Sequence, residues 1–263
     1  MPESDSVVYE ISDGVATITL NRPDSMNSLT VEAKEALLAA VERAKSDREA
    51  RAVLLTGNGK AFCAGQDLRE HAASLGEGQG LGDTVRKHYN PIVLALARMP
   101  KPVVAAVNGV AAGAGASIAF ACDLRVASDR ASFVMAFANV GLGSDSGASW
   151  TLPRLVGHAR AAELLLLAEP VPARRALEIG LVTKVVPADE LAASARELAL
   201  RLANGPTVAY AAIKAELTFG SGLDLQNALE MEASLQEQCA ETADHLNATL
   251  SFVNKTTPVF EGR

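Results

Sequence analysis

Residues 102–122 read PVVAAVNGVAAGAGASIAFAC. The stretch carries no charge, and its length would cross a bilayer, for which about 20 apolar residues suffice. Ala, Gly and Val dominate it, however, and Ala contributes little transfer energy. Asn108, Gly109, Gly113 and Gly115 interrupt it. We read a buried strand over Val103–Val107, a tight turn, and a helix over 113–121 rather than a membrane span. Working outward, residues 52–56 and 124–127 are short apolar runs of the kind found in parallel strands buried on both faces. Residues 7–9 and Val15–Leu20 flank Ser12-Asp13-Gly14 and form a hairpin. Thr30 caps a helix with Leu37, Leu38, Val41 and Ala44 on its apolar stripe. Residues 74–82 form a Gly-rich loop, and 83–98 a helix interrupted or kinked at Pro91. Beyond Pro153 the chain reads mostly helical, apart from a brief strand at 182–186. Three closing helices fall at 206–218, 224–240 and 242–253. Strand–helix alternation followed by a helical tail gives an α/β class with a parallel element. No internal repeat of fixed period emerges, and no composition break marks an independent second domain.

The chain has 263 residues, with 49% hydrophobic and only 4% aromatic, including one Trp. Its core is therefore built from Ala, Leu and Val. The formal net charge of -7 offers no basic surplus to neutralise phosphates, which argues against nucleic acid as a partner. Three widely spaced cysteines, Cys63, Cys122 and Cys239, without a Cys-x-x-Cys, suit a reducing cytosol. Met1 to Ser6 is polar and acidic, unlike a signal peptide. The expected location is therefore cytoplasmic.

Several motifs fail on inspection. Gly57-x-Gly59 follows a strand, but position 62 is Phe62, so the dinucleotide fingerprint is incomplete. Residues 109–117 lack the Gly-Lys-Ser/Thr ending of a phosphate loop. His71, His88, His158 and His245 are scattered, so no metal site is expected. Gly143-Ser144-Asp145-Ser146-Gly147 has the outline of a nucleophile elbow, yet its centre is Asp. Such an Asp is a turn former or, part-buried at a helix start, a general base or nucleophile. Ala61-Phe62-Cys63-Ala64-Gly65-Gln66-Asp67 and Gly109 to Gly115 both follow buried strands and place small residues where the backbone turns. Such turns serve tight packing, or they aim two N–H groups, at Gln66 and Ala114, at one oxyanion.

Taken together, these segments resemble the crotonase superfamily, the enoyl-CoA hydratase/isomerase family, over nearly the whole chain. The matching elements are Thr19-Leu20-Asn21-Arg22-Pro23, Ala61 to Leu68, Lys101-Pro102-Val103 with Ala106-Val107-Asn108-Gly109, and Gly180-Leu181-Val182. The resemblance implies a superhelix of ββα units over residues 1–200. It also implies a helical trimerisation region over 201–263, within the same unit, and a homotrimer or dimer of trimers. It implies acyl-CoA thioester substrates, with no cofactor beyond the coenzyme A that belongs to the substrate. The oxyanion donors fall on the N–H groups of Gln66 and Ala114. Arg22, Met26, Ala64, Asp67 and Leu68 lie where the family holds coenzyme A; His88 could approach the site, though an exposed helix position is the favoured reading.

At the two positions where hydratases carry Glu, this chain has Ser117 and Phe137. The remaining acid is Asp145, shared with two subgroups. One resembles the 1,2-epoxyphenylacetyl-CoA isomerases, favoured by Tyr89-Asn90-Pro91 and by Phe133 to Phe137. The other resembles the 4-chlorobenzoyl-CoA dehalogenases, whose His and Trp are replaced here by Asn90 and Phe137. Residues 141–149 read closer to the dehalogenases, and Ser144 stands where the isomerases have Pro. The expectation is an acyl-CoA isomerase with Asp145 as acid/base and Asn90 orienting a polar atom. Phe62, Phe137 and Trp150 would line an apolar acyl pocket. A hydratase with atypical acids, a dehalogenase-like enzyme and a non-catalytic acyl-CoA-binding member are the alternatives.

Overall fold

The computed structural model describes residues 6–76 and 83–263. Residues 77–82 of the expected 74–82 loop lie outside it. The strands are β1 (Val7–Ser12), β2 (Val15–Leu20), β3 (Ala52–Gly57), β4 (Ala61–Cys63), β5 (Val103–Val107), β6 (Val110–Ala112), β7 (Leu124–Ser128), β8 (Ser132–Val134), β9 (Val171–Pro172) and β10 (Lys184–Val186). The helices before the long C-terminal region are α1 (Val31–Ser46), α2 (Leu68–Gly76), α3 (Asn90–Ala97), α4 (Ala114–Ala121), α5 (Ala148–Val156), α6 (His158–Leu167) and α7 (Ala173–Glu178). Then follow α8 (Leu191–Ala203), α9 (Thr207–Phe219), α10 (Leu225–Ala240) and α11 (Ala243–Asn254).

The strands form two sheets, ordered β1-β2-β3-β5-β7-β10 and β4-β6-β8-β9. From β2 to β10 the larger sheet is parallel, and only the β1–β2 hairpin within it is antiparallel. In β3/β4, β5/β6 and β7/β8 the first strand joins the large sheet and the second joins the small one. This is the spiral repeat of ββα units. It escapes a search for fixed period because the intervening helices and loops differ in length.

Alternation along the buried strands divides the core. Val53, Leu55, Val103, Ala105 and Val107 face the main core with Leu37, Val41, Leu96 and Phe62. Leu54, Val104, Ala106 and Val126 face Ala195, Ala199 and Ala203 of α8. Residue 200 thus lies inside a helix that belongs to the core, and the helical tail begins at α9. Asp244 accepts hydrogen bonds from the N–H groups of Glu261 and Gly262, and Arg51 donates to the Phe260 carbonyl, pinning the chain end.

Local signals behave as their chemistry dictates. Thr30 Oγ1 accepts from the Ala33 N–H at 3.1 Å, a cap of the kind worth about 1 kcal/mol. Asp224 and Thr242 cap α10 and α11 in the same way. The expected 83–98 helix is broken one residue earlier than Pro91. A π-helical turn, Val85–Tyr89, precedes α3, and the Asn90 N–H reaches back to the Val85 carbonyl. Pro91 then sits in the first turn of α3, where its missing N–H is harmless. The expected 182–186 strand shrinks to β10, because Leu181 and Val182 instead turn back onto the Ala176 carbonyl.

The uncharged 102–122 stretch resolves into β5, β6 and α4, and no helix among the described residues is long and apolar enough to cross a membrane. Here α4 approaches β4 so closely that a Cβ on Gly115 would overlap the Cys63 carbonyl and lie 2.8 Å from Cys63 Sγ. Gly115→Ala should therefore destabilise the fold by about 1–3 kcal/mol, the cost of overpacking. A thermal melt at least as stable as wild type would contradict this.

Candidate active site

Two turns meet, each following a strand of the smaller sheet. The first leaves β4 through Ala64-Gly65-Gln66. Gln66 pairs with Leu29 in a parallel bridge: the Leu29 N–H donates to the Gly65 carbonyl at 2.7 Å, and the Asp67 N–H to the Leu29 carbonyl at 3.1 Å. Those two bonds use the groups on either side of Gln66, so its own N–H points away from Leu29. The second turn is Gly113, with φ 51° and ψ -122°, a conformation that a Cβ would penalise. It starts α4, whose first N–H groups have no acceptor inside the helix. A Cβ on Gly65 would lie 3.5 Å from the Ala114 nitrogen, so the turns touch. The Gln66 and Ala114 N–H groups thus belong to two touching turns, the second at a helix N-terminus that favours negative charge.

Phe137, buried at 7% exposure, puts its ring edge 3.9 Å from where a Cβ on Gly113 would be. It sets an aromatic ring beside the Gly113 turn. Ser117 is fully buried, and its hydroxyl donates to the Gly113 carbonyl at 3.0 Å. That hydroxyl is committed to its own helix.

Asp145 stands on the loop before α5. Ser146 has φ 51° and Gly147 φ 75°, and the loop leans on Val93 of α3. A left-handed non-glycine residue beside an acid is the sort of strain that functional sites hold. Asp145 is half-buried and accepts a hydrogen bond from Ser146 Oγ at 2.7 Å. Burial pushes its pKa above the ordinary carboxylate range, against the opposing pull of that hydrogen bond and of the Lys34 charge.

The residues expected to hold coenzyme A form one rim. Arg22 donates to Asp67 Oδ2 at 3.1 Å and to the Ser28 carbonyl, and the Ala64 N–H donates to the Met26 carbonyl at 3.0 Å. Asp67 is buried, which alone would raise its pKa. Hydrogen bonds from Ser28, the Glu70 and Arg69 N–H groups and Arg22 outweigh that and hold it low. Its carboxylate is thereby occupied in anchoring Arg22. Met26 and Leu68 are exposed. Asn90 opens α3 and is exposed. Trp150 is 41% exposed, with the Arg154 guanidinium 3.9 Å from its ring centre. Phe62 differs from the expectation: it is fully buried in the main core, where its volume fills space behind β4 and presents no wall to a ligand.

A family model described as enoyl-CoA hydratase/isomerase matches residues 10–263. The chain belongs to that family. It is 43% identical over 98% of both chains to a "Probable enoyl-CoA hydratase" of Rhodobacter capsulatus. It is 40% identical, again over 98% of both chains, to the 1,2-epoxyphenylacetyl-CoA isomerase of Escherichia coli K12. The crystal structure of an enoyl-CoA hydratase from Bacillus anthracis superimposes with a TM-score of 0.89 at 33% identity, covering 98% of this chain and 100% of that one. It is thus a crotonase-fold enzyme that acts on an acyl-CoA.

A cluster around the Gln66 side chain was not anticipated. Lys34 of α1 is 1% exposed, and its ammonium donates to Gln66 Oε1 at 3.2 Å and Thr84 Oγ1 at 2.8 Å. The Tyr89 hydroxyl donates to the same Gln66 oxygen at 2.6 Å. His88 is not the exposed position expected: its Nδ1 lies 2.9 Å from Thr84 Oγ1, because the π-helical turn rotates it inward. A signal for Lys34 existed, since it stands three and seven residues before Leu37 and Val41, on the buried face of α1.

The folded protein holds the Asp145 proton more tightly than the unfolded chain does. Stability is therefore lost as pH rises from the ordinary carboxylate pKa through the raised folded value. Asp145→Asn should melt higher than wild type at neutral pH, and the gap should close as pH falls below the ordinary carboxylate range. Equal or lower melting temperatures across the whole range would contradict the raised pKa.

Proposed function

We propose that this enzyme is an acyl-CoA isomerase in which Asp145 moves the proton and the Gln66 and Ala114 N–H groups hold the thioester oxygen. The observation that carries this reading is the half-buried carboxylate of Asp145 on a strained loop, where burial raises its pKa. At the positions of the hydratase acids stand Ser117, bound within its helix, and Phe137, which cannot transfer a proton. On a 3-enoyl thioester, Asp145 takes the Cα proton as base. The electron pair passes into the carbonyl to give a dienolate, whose oxygen the two donors stabilise. The protonated carboxyl then delivers its proton to Cγ, leaving the 2-enoyl thioester. One carboxyl group suffices, since it is regenerated in the cycle. Desolvation suits the task, because a raised pKa strengthens the base.

The Escherichia coli relative's name, 1,2-epoxyphenylacetyl-CoA isomerase, supports a ring-bearing acyl group, as does the aromatic wall of Phe137. Arg22, already oriented by Asp67, would meet a phosphate of coenzyme A, with Met26, Ala64 and Leu68 along the same rim. Asn90 would orient a polar atom of the acyl group, and Trp150 would close the outer edge of the pocket.

A panel of CoA thioesters followed by mass spectrometry and absorbance tests this. Isomerisation of 3-enoyl or epoxyphenylacetyl thioesters is expected, with Asp145→Asn lowering kcat about 10²–10⁴-fold, as for loss of a general acid–base group. Full activity of that variant would remove Asp145 as base. Rapid water addition to crotonyl-CoA would make the enzyme a hydratase, and chloride release from 4-chlorobenzoyl-CoA would make it dehalogenase-like. Measurable binding without turnover of any thioester would make it a non-catalytic acyl-CoA binder.

The C-terminal helices leave Leu225, Leu246, Phe252 and Val253 exposed, Phe252 at 86%. Leaving so many large apolar side chains exposed on two adjoining helices suits a subunit contact. We assign this surface to a homotrimer contact, itself able to pair into a hexamer. Light scattering at the mass of a monomer would contradict that assignment.

A further inference from the structure

Lys34 is the least expected side chain near the site. An unbranched apolar residue would fill its space without burying a charge, and desolvating an ammonium is costly unless it is compensated. The compensation here is incomplete. Its two hydrogen-bond acceptors, Gln66 Oε1 and Thr84 Oγ1, are neutral, and among the described residues no carboxylate pairs with it. Glu35 of its own helix, Glu70 of α2, Asp67 of the preceding turn and Asp145 act on it only through space. From the π-helical turn it faces the Tyr89 ring, 5.2 Å from its nitrogen, and His88 through Thr84. Packing alone gives no reason for a cation here.

Its contacts supply one. Gln66 Oε1 accepts from both Lys34 and the Tyr89 hydroxyl, one donor from α1 and one from the π-helical turn. The Gln66 backbone is held on its far side by the bridge to Leu29. A residue fastened at its side chain and on both flanking peptides has little freedom to rotate its own N–H. That N–H is one of the two groups assigned to the substrate oxygen. We infer that Lys34 is a positioning residue: it clamps Gln66 so that the peptide N–H keeps its aim.

The inference rests on the proposed hole and base, and its consequences differ from those of a merely structural lysine. Loss of the clamp weakens polarisation of the thioester carbonyl. The coenzyme A rim at Arg22 and Asp67 does not touch Lys34, so affinity for the nucleotide end should persist.

The test compares wild type, Lys34→Met, Tyr89→Phe and Asp145→Asn. Folding of each is checked by thermal melting. The first readout is the infrared carbonyl frequency of bound phenylacetyl-CoA labelled with ¹³C at the thioester carbon. The second is kcat and KM on whichever thioester wild type turns over. Lys34→Met is expected to lose part of the carbonyl downshift. It should also lose about ten- to a hundred-fold in kcat, less than deletion of a whole oxyanion donor, with KM little changed. Tyr89→Phe removes the other donor to Gln66 and keeps the ring, so it should also lose part of the downshift. It reports on the clamp even if Lys34→Met does not fold. Wild-type carbonyl frequency and kcat in both variants would overturn the clamp. A wild-type protein that leaves the bound carbonyl unshifted would instead overturn the hole, and an active Asp145→Asn the base, each separately from Lys34.

Discussion

The approach of two backbones, the turn after β4 and the first turn of α4, sets the terms for the rest of the site. At Gly115 there is no room for one extra carbon against Cys63, and at Gly113 the chain adopts a conformation that side chains oppose. The Ala- and Gly-rich run exists to make that approach possible. Main-chain donors fixed by packing need no rotamer and no rearrangement when charge develops on the substrate. The cost is that small residues leave nothing to perform acid–base chemistry. Ser117 illustrates this: it lies in the right helix, but its hydroxyl serves the Gly113 carbonyl.

In the proposed reaction, proton transfer comes from further out, where burial matters more than contact. Asp145 and Lys34 are opposite charges that feel each other without forming an ion pair. A direct salt bridge would drive the carboxyl well below its ordinary range and spoil it as a base. Kept apart, the lysine tempers the desolvation of the aspartate without cancelling it. The loop around Ser146, left-handed at a non-glycine residue, holds that carboxylate half-buried.

Much of this was legible in the chain itself, for reasons that differ by residue. The buried strands announced themselves as short uncharged runs, and Thr30, Asp224 and Thr242 marked helix starts by their chemistry. The turns at Gln66 and Ala114 and the acid at Asp145 left local traces as glycine-rich runs and an isolated carboxylate, and the structure shows two touching turns and a half-buried side chain there. Phe62 misled, since an aromatic beside a donor turn reads the same whether it faces inward or toward a ligand. Lys34, Thr84 and Tyr89 were invisible as a group. They lie on separate elements, and only the fold brings them to one oxygen of Gln66. His88 was misjudged because a helix with ordinary spacing would have turned it outward.

The π-helical turn at Val85–Tyr89 carries a historical reading as well. A π turn accommodates one residue more than the α-helical turn it replaces, and such turns gather at functional places. With both ends of a helix docked, an insertion of this size shifts every preceding side chain around the axis by roughly 100°, the angular step of a 3.6-residue turn. A protein family can thus re-aim a whole helical face with a single codon gained or lost, without disturbing the core on which that helix rests. If relatives differ in the length of this segment, their acyl specificities should follow that length more closely than overall identity.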